Sequence, residues 1–345
     1  GMPSVMVRVP MFKWSDVLEG GEDAPCSAFV VGGKVVDCIY ISKYLNCVEY
    51  GRAYSLPNRD PAHTLTIDQA REACAAKGRG WHLMTNAEWA AVAHWCVKNG
   101  TIPRGNSHFG QDISAPHERG ILVRGNNGTG TENEMRTLTG SGPCAWSHDH
   151  TPFGIFDLNG NVWDFVAGLR IVDGEIQVIP DNDSALNVDE GPDSPHWRAI
   201  NTKGELVSPG SPGTYKYDGV EPGISTEENR IVGGGFKLNT AVRNPNYSGP
   251  GPDTAHKAYG MMRFFDMRAE ENVPIHIRLI QLGLFPRSGY RDGAYFFLRN
   301  YGERMAARGG SWFDGDGGGL WDLYLRETRA FIYPDIGFRA AYVEI

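Results

Sequence analysis

The sequence predicts an α+β fold of short strands, two helices and extensive irregular loop, and three observations carry that prediction. Glycine supplies 44 of 345 residues, about 13% against a usual ~7%, and with 21 prolines it demands many turns. Two helix-start signatures of the form Thr-x-x-Gln and Thr-x-x-Glu lie close together in the first third of the chain. The remaining apolar runs are short and flanked by turn residues, as strands are.

The elements follow in chain order. Val30-Val31 and Val35-Val36, joined by Gly32-Gly33, predict a hairpin, and Ile39-Tyr40-Ile41 a strand. Thr66-Ile67-Asp68-Gln69 opens a helix through Lys77 that stops at Gly78. Thr85-Asn86-Ala87-Glu88 opens a second, with Trp89, Val92, Ala93, Cys96 and Val97 at helical spacing, ended by Asn99-Gly100. Residues 101–152 and 173–228 are polar and rich in Gly, Pro and Asn, and predict long loop insertions in a single domain spanning residues 1–345. Gly337 to Val343 predicts a closing strand.

Composition excludes several classes. Apolar residues are 41% and no run reaches the ~18 that a membrane span needs, so no membrane insertion is expected. A formal charge of −8 with no basic stripe argues against nucleic acid as a partner. The six cysteines, Cys26, Cys38, Cys47, Cys74, Cys96 and Cys144, contain no CxxC pair and predict buried thiols rather than a zinc site. His148-Asp149-His150 is the most metal-like cluster, since strand alternation would put both imidazoles on one face; solvated loop side chains are the commoner outcome.

Three segments carry a family resemblance. Trp81-His82-Leu83-Met84-Thr85-Asn86-Ala87-Glu88-Trp89, then Gly154-Ile155-Phe156-Asp157-Leu158-Asn159-Gly160-Asn161-Val162-Trp163-Asp164-Phe165, then Arg308-Gly309-Gly310-Ser311-Trp312 with Ile336-Gly337-Phe338-Arg339, stand in the order found in the formylglycine-generating-enzyme (sulfatase-modifying factor) family. Roughly Met6 to Val343 resembles that family. The resemblance implies a C-type-lectin-like fold with a small twisted antiparallel sheet, two helices and much irregular loop. It also implies a calcium ion held by Asn159, Gly160, Val162 and Asp164, where oxygen ligands from a tight turn would suit a hard cation. The family's oxidases bind copper through a pair of thiols near the C-terminus, and no cysteine follows Cys144 here, so no catalytic residues are expected. Read structurally, Trp163 and Trp312 would anchor the core, and Arg339 would bond loop carbonyls on the face opposite Phe338.

The segment between Trp312 and Ile336 splits by parity. Trp321, Leu323 and Leu325 share one face if extended, and Asp322, Tyr324 and Arg326 the other. Further on, Ala330, Ile332 and Ile336 alternate against Phe331, Tyr333 and Asp335. Aromatics mixed with Asp, Gly and Arg are the residues of a binding surface; a charged edge strand is the plainer alternative. Residues 308–341 are similar to the variable region of diversity-generating-retroelement proteins, which carry a diversified cassette on the same lectin-like fold. The resemblance implies a ligand-binding face made of Phe313, Asp314, Asp316, Asp322, Tyr324, Arg326, Phe331, Tyr333 and Asp335. Gly315, Leu320, Leu323, Leu325, Arg329, Ile332 and Gly337 would be the fixed framework. The partner would be a protein or glycan receptor on a cell surface. No signal peptide is predicted from the first residues, which favours a virion-associated or non-Sec cell-surface protein, otherwise a cytoplasmic one. An enzyme of the same fold and a structural virion or surface protein are the alternative readings.

Overall fold

Among the described residues four helices form, and the two longest open with the Thr66 and Thr85 capping boxes. The computed structural model describes residues 3–123, 135–222, 231–246 and 258–345. Within them lie α1 (Trp14–Val17), α2 (Ile67–Ala75), α3 (Asn86–Asn99) and α4 (Ile277–Gln281), of which α1 and α4 span little more than one turn. Thr66 accepts from the Gln69 amide at 3.2 Å while Gln69 accepts from the Thr66 amide at 2.9 Å, so two otherwise orphaned donors are satisfied at the start of α2. The α3 box does more. Glu88 accepts from the Thr85 amide at 2.9 Å, and its carboxylate also meets His82 Nε2 at 2.9 Å and Asn182 Nδ2 at 3.0 Å, all buried. That network fixes α3 to the strand before it and to a segment almost a hundred residues later.

A four-stranded antiparallel sheet joins distant parts of the chain. Met6–Pro10 pairs with Cys38–Ser42, which pairs with Ala340–Tyr342, which pairs with Trp81–Leu83. A larger mixed sheet runs through Gly260–Arg263, Tyr295–Leu298, Leu323–Leu325, Glu303–Arg308, Trp163–Val172, Glu175–Val178, Lys216–Gly219, Phe236–Asn239 and Arg268–Ala269. Tyr295–Leu298 lies parallel to Leu323–Leu325, and Ile336–Phe338 lies parallel to the start of Trp163–Val172. The protein is therefore α+β, but the small antiparallel sheet of the sequence reading describes only the first of these sheets.

The loop expected over 173–228 is a correction. It contains Glu175–Val178, Arg198–Ile200, Leu206–Val207 and Lys216–Gly219, all in the large sheet. Polar side chains hid them. Glu175 and Gln177 are buried, and the Glu175 carboxylate is satisfied by Thr214 Oγ1 at 2.6 Å, Gln177 Nε2 at 2.8 Å and the Gly210 amide at 3.0 Å. Residues 101–152 remain largely irregular where described, with one short 3-10 turn at Cys144–Trp146. The hairpin forms one residue earlier in its second strand than expected, as Val30–Val31 with Lys34–Val35.

The large sheet separates two apolar layers. Phe296, Leu298, Leu323 and Leu325 face a core shared with α3, whereas Phe297, Trp163, Phe165 and Ala307 face a second core shared with α2. Trp163 and Trp312 are both 2% exposed, in keeping with anchoring roles. Cys26, Cys47, Cys74 and Cys96 are buried, but Cys38 is half-buried and Cys144 exposed, so the buried-thiol expectation holds for four of six. Among the described residues no helix is long and apolar enough to cross a membrane.

Candidate binding site

Arg308 and Arg339 fix the frame of the C-terminal segment. Arg308 is buried and donates to Asn86 Oδ1 at 2.7 and 3.1 Å and to the Leu282 and Gly283 carbonyls, tying the strand to the first turn of α3. Burial lowers its pKa to about 10. Next in sequence, Gly309 and Gly310 have φ of 91° and 78°. A Cβ on Gly310 would lie 2.6 Å from an Asp322 carboxylate oxygen and 3.0 Å from the Gly318 Cα, so only glycine fits there. Arg339 lies opposite Phe338 and donates to the Phe156 and Asp157 carbonyls at 3.0 and 2.8 Å, as the sequence suggested. It also holds Asp164 Oδ2 at 2.9 Å.

Between these anchors, strand pairing gathers an aromatic face. Tyr324 pairs with Phe297 on one side and Ala307 on the other, and Ile336 pairs with Trp163. The Trp163 and Tyr324 rings lie 4.9 Å apart, and Phe297 is 5.5 Å from Tyr324. Phe331 and Tyr333 stack with an interplanar angle of 11°. These rings border a pocket of about 290 Å³ on the solvent end of the second core. Seven of the nine residues expected at the binding face line it: Phe313 and Asp314, Tyr324 and Arg326, then Phe331, Tyr333 and Asp335. Phe313 and Tyr333 are about half exposed, Tyr324, Arg326 and Phe331 half-buried, and Asp335 buried.

Two expected residues are placed elsewhere. Asp322 is fully buried and accepts from the Tyr295 amide at 2.7 Å and the Gly319 amide at 3.1 Å, so it is a structural brace. The strand begins only at Leu323, which lets Asp322 turn inward out of register. Asp316 is exposed and pairs with Arg263 at 3.0 Å, outside the pocket. The framework residues Leu320, Leu323, Leu325 and Gly337 are buried. Arg329 is held by Glu303 at 3.0 Å and Asp68 at 2.9 Å. Ile332, expected inside, is 48% exposed because residues 330–335 form a loop in place of an extended strand.

Charge distribution in the pocket is uneven. Glu327 is matched by Arg299 at 2.8 Å and Arg326 at 3.0 Å, and it accepts from the Tyr324 hydroxyl at 3.2 Å. Asp314 accepts from the amide and hydroxyl of Ser311. Burial raises its carboxyl to about 6, and burial together with the nearby Asp314 charge raises Asp335 to about 8. Sequence reasoning missed four lining residues, Trp163, Tyr259, Phe297 and Glu327. Trp163 was visible as an anchor, whereas Glu327 has the parity of the core-facing Leu323 and Leu325 and gave no signal. Phe297 and Tyr259 reach the site only through sheet pairing that one sequence does not reveal.

No protein-family model matches the chain, and no curated protein matches its sequence.

The other expected sites have structural roles. His148 Nδ1 accepts from the Ile155 amide at 2.9 Å, and burial lowers its pKa to about 4. Asp149 caps the Thr151 amide at 2.9 Å, and His150 Nε2 lies 3.0 Å from the Ile102 carbonyl. The three residues form a turn, not a strand, so the two imidazoles do not share a face. Among the described residues no group of three or more His, Cys, Asp or Glu side chains could hold a metal. At the turn where calcium was expected, the Gly160 amide donates to the Gly309 carbonyl, and Asn159 Nδ2 donates to the Pro103 carbonyl. Val162 is buried beside Trp312 and Leu45. Asp164 and Asn159 each keep one buried oxygen without a donor, but Asp164 is already neutralised by the buried Arg339. A divalent ion at Asp164 would share the carboxylate with that guanidinium, which bonds Oδ2.

Proposed function

We propose that the protein is a ligand-binding protein, not a catalyst, whose binding face is the pocket built by residues 308–341. In this reading it is a variable protein of the diversity-generating-retroelement type on a C-type-lectin-like fold, recognising a receptor on a cell surface. One observation supports it most. Residues chosen by parity and composition gather around one pocket, while the leucines between them are buried in the other layer. Such an arrangement lets the exposed rim residues Phe313 and Tyr333 vary with little effect on the core. Half-exposed aromatic rings beside carboxylates supply contact area at low entropic cost.

The test is genomic. The reading expects a near-identical copy of the segment encoding Arg308 to Arg339, differing mainly at adenines, beside a reverse-transcriptase gene. Absence of any such copy from the complete genome would remove diversification from the proposal.

A further inference from the structure

Three carboxyl groups line the pocket among the described residues: Asp314, Glu327 and Asp335. Glu327 already has two arginine partners, and Arg326 is the one basic residue among the lining side chains. Asp314 and Asp335 form no ion pair among the described residues. The Asp335 carboxyl, 6% exposed, lies deep in a site whose walls are Trp163, Tyr324, Phe331 and Tyr333. Aromatic faces present the negative side of a quadrupole and attract cations, most strongly where water is excluded. The site already contains one such contact: the Arg326 guanidinium stands 3.9 Å from the centre of the Tyr259 ring.

Resting on the proposed function above, we propose that this pocket takes the basic end of a partner protein's lysine or arginine side chain. Charge complementarity selects that occupant. A neutral sugar offers no charge to these carboxyls, whereas an ammonium or guanidinium would stabilise their ionised forms. Size agrees, since about 290 Å³ is at the lower end of ligand pockets and suits one side chain, not an extended glycan. The same geometry predicts proton release. Burial keeps Asp335 mostly protonated and Asp314 partly so near neutral pH, and an entering cation favours the ionised forms.

The experiment uses the whole chain and small probes. Nα-acetyl-arginine amide, Nα-acetyl-lysine amide, the neutral Nα-acetyl-citrulline amide and methyl glucoside are titrated while the Trp163 indole and Tyr324 ring NMR signals are followed. The expected result is millimolar binding of a basic probe, at least tenfold weaker binding of citrulline and sugar, and affinity that rises from pH 6 to 8.5. Calorimetry in two buffers of different ionisation enthalpy should record proton release. Asp335→Asn should weaken the basic probe at least tenfold and flatten its pH profile. Tyr333→Ala, at the exposed rim where folding is safe, should weaken it severalfold. Equal binding of citrulline and arginine probes, tighter binding of the sugar, or no shift with any basic probe would overturn the inference. None of those outcomes touches the genomic test, so the two proposals fail separately.

Discussion

Arg339→Met removes a fully buried guanidinium that joins three segments distant in sequence. The wild-type group donates to Asp164 Oδ2 at 2.9 and 3.1 Å and to the carbonyls of Phe156 and Asp157. Methionine fills much of the volume but supplies no donor and no charge. Breaking one side of a buried ion pair costs about 3–5 kcal/mol, because the remaining charge stays buried. Two carbonyls left without a donor add roughly 1 kcal/mol each or more. The total approaches the ~5–15 kcal/mol that keeps a typical domain folded. Urea unfolding followed by tryptophan fluorescence should therefore show a loss of at least ~4 kcal/mol, or no cooperative transition. A second change, Asp164→Leu in the same chain, should recover part of the loss by removing the stranded carboxylate. A single variant within about 1 kcal/mol of wild type, or a double variant whose losses simply add, would refute the account.

Three further outcomes follow from the pocket and its frame. Leu323→Ala should cost about 2–5 kcal/mol because Leu323 is fully buried, while Tyr333→Ala should stay within about 0.5 kcal/mol in thermal melts. Asp335→Asn should stabilise the free protein at pH 8.5 and change little at pH 4. The folded carboxyl holds its proton up to about pH 8 and the unfolded one only to about pH 4, so wild-type stability falls as pH rises across that window. At ~1.4 kcal/mol per pKa unit, the gain at high pH should be on the order of 1 kcal/mol or more. Melting in millimolar calcium and in EDTA should coincide, since Arg339 already neutralises Asp164; a clear upward shift with calcium would reverse that assignment.

What the sequence made legible was local. Capping boxes at Thr66 and Thr85 marked both long helices because their hydrogen bonds close within three residues. Parity correctly separated Leu323 and Leu325 from Tyr324 and Arg326, since a strand alternates regardless of its neighbours. It failed at Asp322 and Ile332, which lie just outside regular strand, where alternation no longer governs direction. Glu175 and Gln177 defeated the strand reading over 173–228, because buried polar side chains with satisfied bonds look like loop in a linear pattern. Phe297 could not be placed in the site, since only the parallel pairing with Leu323–Leu325 brings it beside Tyr324.

The four-stranded sheet has a consequence for biosynthesis. Three of its strands come from residues 6–83, but Ala340–Tyr342 lies between Cys38–Ser42 and Trp81–Leu83. Two strand edges made early during translation therefore wait unpaired until more than 250 later residues have emerged. Such edges are templates for wrong partners, and contacts so distant in sequence form slowly. Variation within 308–341 would have to spare not only the finished core but also the delivery of this strand. A ribosome stalled or terminated within the pocket-forming segment would release a chain whose first sheet is split in two, and such a product should be found in aggregates or bound to chaperones.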